Sequence, residues 1–103
     1  MFVDCKYYVL SLYVAGITPR SVQALQNIQK ICEEYLQGRY KLKVIDIYQQ
    51  PQLARTDQIV AIPTLIRQLP LPSRRLFGTM SDLQRVLVGL DLKPDKSNSS
   101  NTT

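Results

Sequence analysis

The apolar residues near the start of the chain form one nearly continuous run over residues 7–15, rich in aromatic and β-branched side chains. Such a run is typical of a strand covered on both faces. Gly16 ends it, Thr18 has a side chain suited to cap a helix, and Pro19 suits the first helical position, where its missing N–H is not needed. The pattern predicts a strand followed directly by a helix.

Apolar residues then recur at steps of three and four, which predicts one buried helix face. They are Val22, Leu25, Ile28, Cys32 and Tyr35. Gly38 can end this helix in a left-handed conformation, and residues 42–47 form a second strand-like run. A strand, a long helix and a strand in this order predict a right-handed βαβ unit with parallel strands.

The second half of the chain contains shorter elements separated by prolines. Residues 51–58 predict a short helix, and residues 61–66 a strand entered through Pro63. Residues 69–72 contain two prolines and predict a rigid extended loop, and residues 73–78 predict a short edge strand.

The last apolar segment fits two secondary structures. A helix capped by Ser81 would place four leucine and valine side chains on one face: Leu83, Val86, Leu87 and Leu90. Residues 85–88 fit a strand equally well, because β-branched residues favour strands, and Gly89 costs a helix roughly 1 kcal/mol relative to alanine. Both structures remain open for this segment.

Residues 93–103 contain no apolar side chain and predict a disordered polar tail behind a single domain over residues 1–92. The apolar run over residues 7–15 is too short to span a bilayer, which needs about 20 residues. We therefore expect one domain without membrane insertion.

Composition excludes several kinds of chemistry. The 103 residues include 13 Lys and Arg, 8 Asp and Glu, two cysteines and no histidine, for a net charge of +5. Without histidine, no Ser-His-Asp or Cys-His nucleophile and no His-ligated zinc site can form. Cys5 and Cys32 match no metal or redox spacing, so we expect no catalytic residue, metal or cofactor, and a reducing, cytoplasmic location. No run of Lys and Arg exceeds two residues and no RNA-binding signature is present, so a nucleic-acid partner is not expected.

A βαβ unit followed by helix, strand, strand and helix is the order of a thioredoxin-like α/β domain. Residues 61–65 (AIPTL) resemble the thioredoxin segment whose proline follows a cis peptide bond, which makes Pro63 a candidate cis-proline. Residues 17–20 (ITPR) occupy the corner where thioredoxins have Cys-x-x-Cys, and they contain no cysteine. Disulfide exchange needs a thiolate at this corner, so the sequence argues against redox catalysis.

Several separated blocks resemble the KaiB family of circadian clock proteins, in register from about residue 7 to residue 92. The blocks are residues 8–10, 12–16, 18–19, 21–22, 42–46, 51–54, 63–65, 74–75 and 88–92. The resemblance implies a non-enzymatic cyanobacterial protein with two folds, a ground-state homotetramer and a thioredoxin-like monomer. It further implies that the monomer binds the N-terminal ATPase ring of a KaiC-type kinase, sequesters KaiA and competes with the sensor kinase SasA.

The sequence also departs from the family, which suggests a divergent paralogue. The acidic C-terminal tail is replaced by the Ser/Asn/Thr-rich residues 97–103, which explains much of the positive charge. Lys43, Arg74 and Arg75 are retained, and we expect them to contact the partner, since arginine can bind carboxylates through two parallel hydrogen bonds.

The ambiguity at the last apolar segment coincides with the half that refolds in the family. Gly89 disfavours the helix and Asp91 places a negative charge at its C-terminal end, against the helix dipole. We therefore expect these two residues to keep the switched helix marginal.

Two other classes of function compete with this interpretation. One is a sensory thioredoxin-like docking module related to the N-terminal domain of SasA, without a fold switch. The other is a degenerate redox enzyme, which the missing Cys-x-x-Cys argues against.

Overall fold

The computed structural model describes residues 7–92, which form a four-stranded mixed sheet in the order β2-β1-β3-β4. The elements are β1 (Tyr8–Val14), α1 (Pro19–Tyr35), β2 (Tyr40–Asp46), α2 (Pro51–Thr56), β3 (Thr64–Leu69), β4 (Arg74–Phe77) and α3 (Leu83–Gly89). The predicted tail over residues 93–103 and residues 1–6 of the predicted domain, which include Cys5, lie outside the described residues.

The N-terminal βαβ unit is confirmed. β1 and β2 pair in parallel from Tyr8 opposite Tyr40 to Val14 opposite Asp46. The Thr18 hydroxyl accepts a hydrogen bond from the Ser21 amide at 3.2 Å and caps α1, as its sequence position predicts.

The buried face of α1 is rotated relative to the predicted one. Its buried residues are Ser21, Ala24, Ile28, Ile31 and Cys32. Val22 is 37% exposed, because the small side chains of Ser21 and Ala24 lie against the sheet in its place, and Leu25 is only partly buried against the same core. Small residues let the helix backbone approach the strands closely, an effect that counting apolar residues does not capture.

The sheet is covered on both faces. On the first, here called the α1 face, α1 and α3 pack over the even-numbered β1 residues from Tyr8 to Val14 and over Leu65. On the opposite α2 face, a smaller cluster contains Tyr13, Ile45 and Ile66 together with Ala54 of α2. The buried strand β1 contributes to both clusters, as its continuous apolarity predicts.

β3 runs antiparallel to β1, with Tyr13 opposite Thr64. It begins three residues later than predicted, because Pro63 has no N–H to donate. The Ile62–Pro63 peptide bond is cis. The strand continues through Arg67, beyond its predicted end, to Leu69. The loop through Pro70 and Pro72 follows, and β4 is the edge strand that residues 73–78 predict.

The last segment is helical in this structure, so its strand alternative does not apply to the fold described here. Asp82, and not Ser81, caps α3, since its carboxylate accepts a hydrogen bond from the Arg85 amide at 3.3 Å. Val86 and Leu87 are buried against the sheet, whereas Leu83 is 42% exposed. The architecture is the expected thioredoxin-like α/β fold.

Candidate partner-binding surface

The corner between β1 and α1 has the position and shape of a thioredoxin redox site, but it contains no cysteine. The register of β1 and β3 places Pro63, after its cis bond, beside the end of β1. Gly16 lies in the left-handed region at φ +64°, and Ile17 beside it is 92% exposed. Ile17 offers a hydrocarbon surface where disulfide exchange would require a thiolate.

The described cysteine cannot replace the missing thiols. Cys32 is fully buried in the core of the α1 face, and burial, with a smaller contribution from the negative charge of Glu33, raises the pKa of its thiol to about 12. The thiol therefore stays protonated and unreactive at neutral pH. Within residues 7–92, no group of three or more Cys, Asp or Glu side chains is arranged to hold a metal ion.

Lys43 and Arg75 belong to one row of residues across the α2 face. The row runs from Lys43 through Ser11 and Ile66 to Arg75, since each residue is the register partner of the next. Both basic side chains are exposed, on the two opposite edge strands. Three strand spacings separate them, about 14 Å. The structure thus places them on one face but at its two edges.

Arg75 also has contacts within the chain. Its guanidinium donates hydrogen bonds to the carbonyl oxygens of Asp57 and, at 3.1 Å, of Gln58. These carbonyls follow the C-terminus of α2, where a positive charge is favourable. Arg75 therefore ties β4 to the turn after α2 while remaining exposed.

Arg74 points to the opposite face from Arg75, because successive strand residues alternate. It is exposed, and its register partner on β3 is Arg67. The three predicted contact residues therefore do not form one cluster, since Arg74 lies on the α1 face and Lys43 and Arg75 lie on the α2 face.

Arg67 is a residue that sequence reasoning missed. It is 3% exposed, and its Nη2 donates to the Pro72 carbonyl at 2.7 Å. In the described part of the chain, Nε and Nη1 of this buried guanidinium have no hydrogen-bond partner. Burying a charged group with unsatisfied donors is costly.

Tyr13 and Asp57 form a second contact that the sequence did not reveal. The Tyr13 hydroxyl donates to a carboxylate oxygen of Asp57, joining β1 to the turn after α2. Burial, then this hydrogen bond and the negative charge of Asp57, raise the pKa of Tyr13 to about 12, and the nearby Arg75 charge opposes the shift. The phenol stays neutral and keeps its donor role at physiological pH.

Gly89, a predicted switch residue, is the last residue of α3. It lies against Leu76 of β4: a β-carbon added at Gly89 would overlap Cδ2 of Leu76 and lie 3.0 Å from its Cδ1 and Cγ. The structure therefore shows a packing role for this glycine in addition to its low helix propensity.

Asp91, the other predicted switch residue, follows the C-cap of α3 and lies in the left-handed region at φ +63°. Its amide donates to the Val88 carbonyl at 3.0 Å, and the Leu92 amide donates to the Leu87 carbonyl at 2.8 Å. This is the Schellman arrangement, whose left-handed position usually holds glycine. An aspartate there adds backbone strain and a negative charge at the negative end of the helix.

A thioredoxin-like domain without redox cysteines, with exposed basic residues on both sheet edges, is suited to binding a partner and not to thiol chemistry. A family model of the KaiB domain matches residues 11–92. The chain belongs to the KaiB family, whose members are non-enzymatic clock proteins.

Curated relatives agree with this assignment. The circadian clock oscillator protein KaiB of Synechococcus elongatus is 56% identical over 87 residues, which cover 84% of this chain and 85% of that protein. The protein of the same name from Microcystis aeruginosa is 55% identical over 92 residues, covering 89% of this chain and 88% of the relative.

Solved structures agree on the fold. The N-terminal domain of Synechococcus elongatus SasA superposes with a TM-score of 0.69 at 22% identity, over 92% of this chain and 93% of that domain. Chloroplastic thioredoxin z superposes with a TM-score of 0.65 at 18% identity, over 82% and 79% of the two chains. At these identities the likeness establishes the thioredoxin-like fold alone. No helix within residues 7–92 is both long and apolar enough to cross a membrane.

Proposed function

We propose that this protein is a cytoplasmic clock component that binds the N-terminal ATPase ring of a KaiC-type kinase and regulates its phosphorylation cycle. In the same role it sequesters KaiA and competes with SasA. Membership of the KaiB family over residues 11–92 is the observation that carries this proposal. The likeness in fold to the SasA N-terminal domain supports the competition, because two domains of one shape can occupy one site.

Lys43, Arg74 and Arg75 are the residues proposed to contact the ring. All three are exposed, and Lys and Arg are the side chains that pair with acidic groups on a partner. Because Arg74 and Arg75 point to opposite faces of the edge strand β4, they would contact different parts of a partner that binds around this edge.

The active form in this proposal is a monomeric thioredoxin-like domain over residues 1–92, with residues 93–103 as its polar tail and a homotetramer as the ground state. Gly89 and Asp91 keep α3 marginal, so the binding-competent form is a minor population. A minor competent population lowers the apparent affinity in proportion to its fraction.

The test is slow co-incubation of the purified chain with KaiC-type hexamers from the same cell, followed by separation of the complex over hours. We expect binding that develops slowly and that Arg74→Glu weakens by about tenfold, as is typical when a contacting charge is reversed. Arg20→Glu is the matched control, since Arg20 is also exposed but lies in the first turn of α1. Failure to bind any such ring would contradict the proposal.

The second candidate is a constitutive docking module of the SasA type, favoured by the superposition on the SasA domain over nearly the full length of both chains. Such a module would be strictly monomeric, whereas the first proposal requires a tetrameric ground state. Size-exclusion chromatography with light scattering separates the two.

A further inference from the structure

β4 leaves one side of its backbone unpaired. It is the terminal strand of the sheet, and its ladder with β3 continues into a hydrogen bond from the Gly78 amide to the Pro63 carbonyl at 3.0 Å. Bonded and non-bonded residues alternate along an antiparallel pair. The backbone groups of Arg74 and Leu76 therefore face β3, and those of Arg75 and Phe77 point away from the sheet.

A groove of about 370 Å³ adjoins this edge, between β4 and the N-terminal half of α3. Its apolar lining comes from Leu76, Met80 and Val86, and Phe77 at the edge is 55% exposed. An exposed strand edge beside an apolar groove is the combination that extended peptides use when they add a strand to a sheet.

The charges around the groove determine the chemistry of its occupant. Arg85 lines it, and Arg74 is exposed on the same face of the sheet. Arg75 borders the groove too, but its guanidinium lies on the α2 face, where it binds two backbone carbonyls of the turn after α2. Asp82 is the acid in the lining, and its carboxylate already accepts the Arg85 amide as the cap of α3. The strand edge and the groove together therefore carry an excess of positive charge, which favours an acidic ligand.

We infer that the β4 edge and this groove bind an extended acidic segment of a partner protein by strand addition. The segment's backbone pairs with the outward amide and carbonyl groups of Arg75 and Phe77. Because side chains alternate along a strand, its apolar side chains enter the groove and its carboxylates point to the opposite face, where Arg75 lies. This inference rests on the proposed function only in taking the partner to be a protein.

The test uses amide hydrogen exchange of the ¹⁵N-labelled chain followed by NMR. The probe is an end-blocked octapeptide of alternating valine and glutamate. We expect it to slow exchange of the Arg75 and Phe77 amides by about tenfold or more, since pairing removes them from water. The Leu76 amide faces β3 already, so its exchange rate serves as the internal reference.

Two altered peptides separate the parts of the inference. The same octapeptide with every amide N-methylated cannot donate backbone hydrogen bonds, and we expect it to bind about tenfold more weakly. The valine–lysine octapeptide tests charge, and we expect a loss of similar size. Equal binding of the lysine peptide would overturn the inference.

Protein variants locate the site. Arg85→Glu reverses a charge in the groove lining and should weaken the valine–glutamate peptide by about fivefold or more. Arg20→Glu on α1 should leave the affinity unchanged. Protection of the outer amides of β2, in place of those of β4, would overturn the inference.

The same exchange measurement on the complex with a KaiC-type ring distinguishes this inference from the proposed function. A ring that binds while Arg75 and Phe77 continue to exchange freely would overturn strand addition and leave the proposed function standing. A chain that captures the acidic peptide at β4 but binds no ring would support strand addition and contradict the proposed function.

Discussion

The helices in the two halves of this domain differ in how much of their stability comes from local interactions. In the first half, α1 has 17 residues, a threonine cap and a proline at its start, and it buries one continuous face against the sheet. In the second half, α3 has seven residues, and the residue after its C-cap, Asp91, lies in the left-handed region. A helix this short depends on tertiary packing for nearly all of its stability.

Buried polar groups show the same contrast. In the first half, the Ser21 hydroxyl accepts hydrogen bonds from the Thr18 hydroxyl at 2.9 Å and from the Ala15 amide at 3.3 Å. In the second half, Arg67 is buried, and two of its guanidinium nitrogens have no hydrogen-bond partner. Within residues 7–92, these are the buried side-chain nitrogen or oxygen atoms that lack one. The strained and unsatisfied groups thus lie in the half that the KaiB resemblance implies can refold. We propose that they keep the thioredoxin-like arrangement marginal without weakening the βαβ unit.

The variant expected to change this contrast most is Arg67→Met. Methionine fills a similar volume without buried donors, and Pro72 is exposed, so its carbonyl can bond water instead. We expect the thioredoxin-like arrangement to gain about 2 kcal/mol, within the range found when buried charges are replaced by apolar side chains. The measurement is the monomer fraction by light scattering, combined with urea unfolding of the monomer.

Arg74→Met is the control for this variant. Arg74 is the register partner of Arg67 on the same face but is exposed, so its replacement should change stability by less than about 0.5 kcal/mol. Equal effects of the two substitutions would show that burial of the Arg67 guanidinium does not destabilise this half.

Asp91→Gly should have the next largest effect. Glycine adopts the left-handed conformation without a Cβ penalty, and the substitution removes a negative charge from the C-terminal end of α3. We expect a gain of about 1 kcal/mol for the thioredoxin-like arrangement. The readout is the ratio of the NMR resonances of the thioredoxin-like arrangement to those of the proposed ground-state fold.

Asp91→Asn divides that effect into its parts. Asparagine removes the charge but keeps a side chain in the left-handed position, so it should give only part of the glycine gain. A glycine variant no more stable than the asparagine variant would show that backbone strain at this position contributes nothing.

The sequence predicted the elements whose causes are local. Thr18 and Pro19 mark the start of α1, and the prolines at 70 and 72 mark the loop between β3 and β4. It did not identify the cap of α3, because Ser81 and Asp82 are adjacent and both suit that role.

The features missed by sequence reasoning depend on contacts distant in the chain. An arginine in a strand is usually exposed, whereas Arg67 is buried and its guanidinium donates to the Pro72 carbonyl of the loop that follows β3. The positions of Lys43 and Arg75 at opposite ends of one row depend on the strand order, which local patterns do not encode. The contact of Gly89 with Leu76 likewise joins two elements whose packing is not evident from spacing.

The smallest effect is expected for Gly89→Ala. Alanine gains up to about 1 kcal/mol of helix propensity. Part of this gain is lost because Leu76 must move away from the new β-carbon. Leu76 is only half-buried on an edge strand, and the overlapping atoms are at the end of its side chain, so it can rotate. We expect a net shift of about 0.5 kcal/mol toward the thioredoxin-like monomer.

Repeating the substitution in a Leu76→Ala background removes the overlap, so there the gain should approach the full difference in helix propensity between glycine and alanine. The two backgrounds form a double-mutant cycle. Unchanged NMR spectra and an unchanged tetramer fraction in both backgrounds would show that Gly89 does not hold α3 marginal, leaving Arg67 and Asp91 as the sources of the difference between the two halves.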